Sequence, residues 1–272
     1  MPAEHGYGED GEYRSLPGMD SGIRPVPQQR IMEKVDECMG RLDYAGAERV
    51  LLYWLAEARA GGDLRGQLMI RSELVGHYRK TGEREKARES ADDALALIRA
   101  LGFEGTLSAA AAYVNMATAD HSFGLYEEAY RLFADARAIM ERSPGASPEL
   151  LGGLYNNMGL TCAALGRYDE AFRLYDLAME RMEEVPGGAA EQAVTCLNRA
   201  DALAARDGME AAEAAVFALL DQAEALLDSP SLSRNGYYAY VCGRCAPVFD
   251  HYGYFAAART LRERAEAIYE GS

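Results

Sequence analysis

Cys242-Gly-Arg-Cys245, followed by Pro247, has the spacing of a dithiol redox motif. Such a pair reacts when one thiolate sits exposed at a helix N-terminus, where backbone N–H groups lower its pKa. A tetrahedral zinc site would need two further ligands, and His251 is the one nearby candidate. The other histidines, His5, His77 and His121, form no metal-spaced pair. Asp120-His121-Ser122 contains the residue types of a hydrolytic triad. Three consecutive residues on one helix point three ways, however, and cannot share one proton. Phosphate-binding glycine loops and the HExxH zinc motif do not occur. No catalytic residue, metal ligand or cofactor is therefore assigned, and the chain reads as a non-enzyme.

The second chemistry on offer is recognition. Asn115, Asn157 and Arg199 recur at a step of 42 residues, and Asn156 and Asn198 stand one residue earlier in their copies. An amide both donates and accepts, so a row of them can bridge the backbone of an extended peptide whatever its side chains. The same amides could instead bond neighbouring helices and hold a stack together. Arg199, Arg206 and Arg244 lie toward the C-terminal end with Tyr237 and Tyr240, whereas Glu33, Asp36 and Glu73 lie toward the N-terminal end. Arginines grip carboxylates bidentately and tyrosines offer flat amphipathic contact, so an acidic segment or a C-terminal carboxylate fits the basic end. The alternative is that these arginines only pair with surface acids.

Those residues must be held by a repeat. Gly82, Gly124, Gly166 and Gly208 are each 42 residues apart, and Ala87, Ala129 and Ala171, then Ala94, Ala136 and Ala178, keep the same step. After Gly166 the apolar or small residues Tyr168, Ala171, Leu174, Tyr175, Ala178 and Met182 recur every three or four positions, which traces one helical stripe. Tyr155, Met158, Gly159 and Cys162 do the same before it. Each copy is thus a helical hairpin, with a glycine free to take a left-handed conformation at its turn. Ala47 upstream and Ala258 and Ala265 downstream extend the columns. The pattern predicts an all-α fold of six antiparallel hairpins near 28–60, 67–100, 107–142, 149–184, 190–228 and 236–270. Cys242 and Cys245 then fall on the apolar face of a first helix, in the columns of Leu197 and Ala200, which favours buried structural thiols over redox ones. Residues 1–26 have glycines, prolines and no periodicity, and read as a flexible tail or as an arm packing through Tyr7, Tyr13 and Leu16.

NNMGLTCAALGRYDEAFRLYDLAMERM resembles a tetratricopeptide repeat. Met158 and Gly159 stand for its Leu-Gly pair, Gly166 and Tyr168 for its turn, and Ala171, Tyr175 and Ala178 for its Ala–aromatic–Ala columns. The 42-residue step is similar to the extended repeats of kinesin light chains and of bacterial peptide-pheromone regulators. The resemblance implies a right-handed α-solenoid, a superhelix whose first helices line a concave groove that binds peptides or protein segments. On this register the groove residues are Asn115, Asn156, Asn157, Asn198, Arg199, Arg206, Tyr240 and Arg244. Arg71, Asp120 and Asp201 depart from the family pattern, which prefers aromatic, aromatic and small residues there. Val114, Thr118 and Thr195 likewise replace residues of the family's carboxylate clamp, against a chaperone-tail ligand.

Composition narrows the partner. The 272 residues carry 28 Lys and Arg against 43 Asp and Glu, for a net charge of −15, which repels nucleic acid. No apolar run approaches the ~18 residues of a membrane span, and no secretory signal opens the chain. Five cysteines are too few and odd in number for a disulfide framework, so a reducing cytoplasm is expected. The expected role is a cytoplasmic protein- or peptide-binding module. Its alternatives are a scaffold or homo-oligomer using helix edges or the N-terminal arm, and a small-ligand sensor or regulatory partner.

Overall fold

The computed structural model describes residues 22–270, so the arm expected over 1–26 lies outside the described residues up to position 21. The described chain is twelve α-helices paired as six hairpins, with no strand among the described residues. Of the described residues, 22–139 form one compact unit and 140–270 another. The first unit holds α1 (Gln28–Gly40), α2 (Tyr44–Ala60), α3 (Leu64–Thr81), α4 (Arg84–Leu101), α5 (Leu107–Ser122) and α6 (Tyr126–Met140). The second holds α7 (Pro148–Ala164), α8 (Tyr168–Glu183), α9 (Ala189–Asp207), α10 (Met209–Leu227), α11 (Gly236–His251) and α12 (Phe255–Glu270).

Helix starts follow local chemistry. The side chains of Asp43, Asp63, Thr106, Ser147 and Asn235 each accept a hydrogen bond from a backbone N–H three residues on, satisfying a donor that the helix cannot. Asp63 is buried and does this twice: one carboxylate oxygen takes Gly66 N–H and the other takes Val26 N–H, both at 2.9 Å. That second bond, with Arg24 N–H donating to the Gly61 carbonyl at 2.9 Å, ties residues 24–26 to the turn between α2 and α3.

Packing uses the alanine columns. Ala47, Ala87, Ala94, Ala129, Ala136, Ala171, Ala178, Ala258 and Ala265 are all buried. Small side chains there let helices approach closely. Gly159 shows how closely, because a Cβ at that position would stand 2.6 Å from Tyr175 Cε1. In the second unit α9 is central and packs against α7, α8, α10 and α11. First helices of successive hairpins therefore lie side by side there.

The fifth hairpin breaks the period. The turn glycine precedes the first alanine column by five residues at Gly82, Gly124, Gly166 and Gly253, but by four at Gly208. Ala212 is buried and Glu213, the residue at the 42-residue step from Ala171, is exposed. Gly208 alone joins α9 to α10, with φ +79° and ψ 148°, a conformation that is essentially glycine's. One residue fewer turns the helix stripe by about 100°.

Two of the three residues that break the sequence pattern find partners in the structure. Arg71 is buried on α3 and forms an ion pair with Asp93 of α4. Asp201 accepts a hydrogen bond from the Tyr252 hydroxyl at 2.8 Å, linking α9 to α11's C-terminal end. Asp120 is half-buried, and burial pushes its carboxyl up to about 6.

Candidate functional site

Catalytic chemistry finds little support in the geometry. Cys242 and Cys245 are both buried on α11, and burial raises both thiols, Cys245 to about 12. A pair so placed stays protonated and is a poor nucleophile. His251 lies at the end of α11, and no group of three or more His, Cys, Asp and Glu side chains among the described residues could hold a metal ion. His77 is buried beside the Tyr44 and Tyr78 rings, and burial lowers its pKa. His121 lies 5.2 Å from the Tyr126 ring and tilted to it, also with a lowered pKa from burial, while Ser122 Oγ donates to the Ala119 carbonyl. His5 lies outside the described residues.

Of the eight side chains expected to line a groove, seven lie on α7, α9 and α11. One residue separates two kinds of asparagine. Asn156 is buried, and its Oδ1 accepts from Asn198 Nδ2 at 2.9 Å and from Thr195 Oγ1 at 3.2 Å. Thr195 Oγ1 also reaches the Glu191 carbonyl, so the network ties α7 to α9. Asn157 is half-buried, and its amide has no hydrogen bond among the described residues. The same holds for Asn115, which lies on α5 of the first unit.

The arginines divide in the same way. Arg199 turns to Asp176 of α8, with its Nη1 at 2.5 Å from the carboxylate, and its buried Nε has no hydrogen-bond partner. Arg206 donates two bonds of 2.7 Å to the carboxylate of adjacent Asp207 and lies 4.8 Å from the centre of the Phe172 ring. Arg244 is exposed and forms no ion pair among the described residues. Its guanidinium carbon stands 6.0 Å from the ring centre of Tyr240, which is 47% exposed and itself lies 6.4 Å from Tyr237. Asn157 and Arg244 occupy one column of the repeat, since each precedes its turn glycine, Gly166 or Gly253, by nine residues.

Glu191 completes this face and escaped the sequence reading. Burial raises its carboxyl pKa, and Arg244 pulls it back down. Its signal was present in the spacing of Glu191, Thr195 and Asn198, at i, i+4 and i+7 on one face of a helix. The corresponding face of the first unit is acidic. Glu73 on α3 has its carboxyl raised to about 7 by burial, and further by Asp36 on α1, with Lys80 opposing. Glu33 is exposed on α1 and accepts a bond from Gln29.

The comparisons agree with this architecture. A tetratricopeptide repeat family model matches residues 150–227, which span nearly all of α7 and the whole of α8 to α10. BtubC (BKLC) from P. vanneervenii has a similar crystal structure, with a TM-score of 0.63 and 22% identity over 73% of this chain and 78% of that one. The TPR-like repeats named for a kinesin light chain in Podosopora anserina superpose with a TM-score of 0.51 and 19% identity, over 74% of this chain and 94% of theirs. No curated protein matches the sequence. A TPR-like repeat region is thereby established, and no helix of the described residues is long and apolar enough to cross a membrane.

Proposed function

We propose that the chain is a non-enzymatic interaction module that binds an extended peptide segment across the first helices of its second unit. One observation carries the reading. Four candidate groups of the second unit, Asn156, Asn198, Arg199 and Arg206, are spent inside the protein, but Asn157 and Arg244 of that unit share a column and are unspent. Asn157 bonds the peptide backbone, which sets position without selecting sequence. Arg244, flanked by Tyr240, takes a carboxylate from an acidic side chain or from the peptide's C-terminus. Glu191 beside Arg244 repels a misplaced acid and so sharpens where that carboxylate sits.

The test is selection from a synthetic peptide library, presented once with free C-terminal carboxylates and once amidated. The wild-type chain enriches acidic or free-carboxylate peptides, Arg244→Glu loses them, and Asn157→Leu binds all peptides more weakly. Enrichment that is the same for wild type and both variants overturns the reading and moves recognition to helix edges, as in a scaffold.

A further inference from the structure

A second surface lies in the other unit. Arg30, Lys34, Arg49, Val50, Tyr53 and Trp54 line an open cleft of about 490 Å³ between α1 and α2. Glu33 and Glu37 complete its wall. Tyr53 is 59% exposed and Trp54 half-exposed, their rings edge-on at 5.2 Å. Lys34 and Glu37 neutralise each other at 2.6 Å, whereas Arg30 and Arg49 form no ion pair among the described residues. Two free guanidinium groups beside a pair of half-bare aromatic rings suit an acidic segment that carries aromatic or aliphatic side chains.

The chain supplies such a segment. Residues 1–21 hold Glu4, Glu9, Asp10, Glu12 and Asp20 against a single Arg14, with Tyr7, Tyr13 and Leu16 among them. The bonds of Arg24 to Gly61 and of Val26 to Asp63 fix where that segment leaves the described fold. Gly61 follows Trp54 on α2 by seven residues, about 10 Å along the axis. Twenty-one residues span up to roughly 70 Å when extended, so reach is ample.

We propose that the chain's own residues 1–21 occupy this cleft, with the acids at 9–12 set against Arg30 and Arg49 and a tyrosine against Tyr53 and Trp54. The occupant covers the apolar face of the first hairpin and so serves as the cap that an end repeat needs.

Trp54 is the only tryptophan, so its emission reports this cleft alone. In the full chain, reversing Glu9, Asp10 and Glu12 to Lys shifts the emission to the red and increases acrylamide quenching. Arg30→Glu with Arg49→Glu does the same, and all five changes together restore the wild-type spectrum. Salt at 1 M, where screening falls to about 3 Å, mimics the single-sided reversals. Two results overturn the proposal. One is equal quenching in wild type and both reversed variants, which leaves the cleft uncovered. The other is protection that disappears on dilution as a dimer dissociates, which assigns the covering segment to a second copy.

Discussion

Arg71 on α3 and Tyr155 on α7 are two periods apart and fill the same slot of their hairpins. Both are buried, at 7% and 5% exposure. Tyr155 fills the slot with a ring and sends one hydroxyl to Glu141 at 2.9 Å. Arg71 fills it with a charge, and so requires Asp93 as counter-ion and a long contact of 3.5 Å to Ser90 Oγ. The α3–α4 contact is thus tied partly by ions, the α7–α9 contact by neutral amides such as Asn156. One repeat geometry accepts either solution, but the two differ in what breaks them. A buried charge that loses its partner is strongly destabilising, whereas a lost neutral bond costs little.

The largest effect is expected at the ion pair. Asp93→Ala strands Arg71 and costs about 2–3 kcal/mol, at the low end for such pairs because the Asp93 carboxylate is 43% exposed. Adding Arg71→Tyr, which copies the Tyr155 solution, recovers most of that loss in urea unfolding. A cost below about 0.5 kcal/mol for Asp93→Ala would erase the contrast between these two contacts.

Next is Glu73, whose carboxyl is raised from 4.5 to about 7, chiefly by burial. A folded-state pKa above the unfolded value means the folded chain holds the proton more firmly. Its contribution is therefore full below pH 4.5 and declines as pH rises to about 7. Glu73→Gln removes that slope, so the variant gains on wild type across this window, by about 3 kcal/mol at its upper end. Parallel stability curves would show that Glu73 is as well solvated as an ordinary surface acid.

The smallest effect belongs to the second unit. Asn156→Ala leaves Asn198 without its acceptor, while Thr195 keeps the Glu191 carbonyl at 3.0 Å. The loss is about 1 kcal/mol and independent of salt, because no charge takes part. Salt sensitivity in that variant would place an ion pair where the structure has amides.

The six hairpins were legible in the sequence because glycine and alanine columns report backbone closeness directly. The proposed recognition face was only half legible. Asn156 and Asn157 differ by one position, hence by about 100° around the helix, and composition cannot say which amide meets α9. Arg199 and Arg244 read alike until Asp176, 23 residues away from Arg199 on another helix, is brought beside one of them. Buried thiols at Cys242 and Cys245 were readable from their columns, since helical period decides inward from outward. The one-residue shift after Gly208 was not legible, because alanine-rich α10 offers a small residue at several registers.

That shortened turn also constrains how such a chain can grow or shrink by recombination. Hairpins closed at Gly82, Gly124 and Gly166 share one phase, so crossing-over by a whole period among them returns each stripe to its place. An exchange that gives the Gly208 joint the five-residue spacing without inserting a residue would swing Glu213 inward in place of Ala212. The joint at Gly208 is therefore a phase boundary in the fold, and a whole-period exchange across it keeps the stripe in place only if it also supplies or removes one residue.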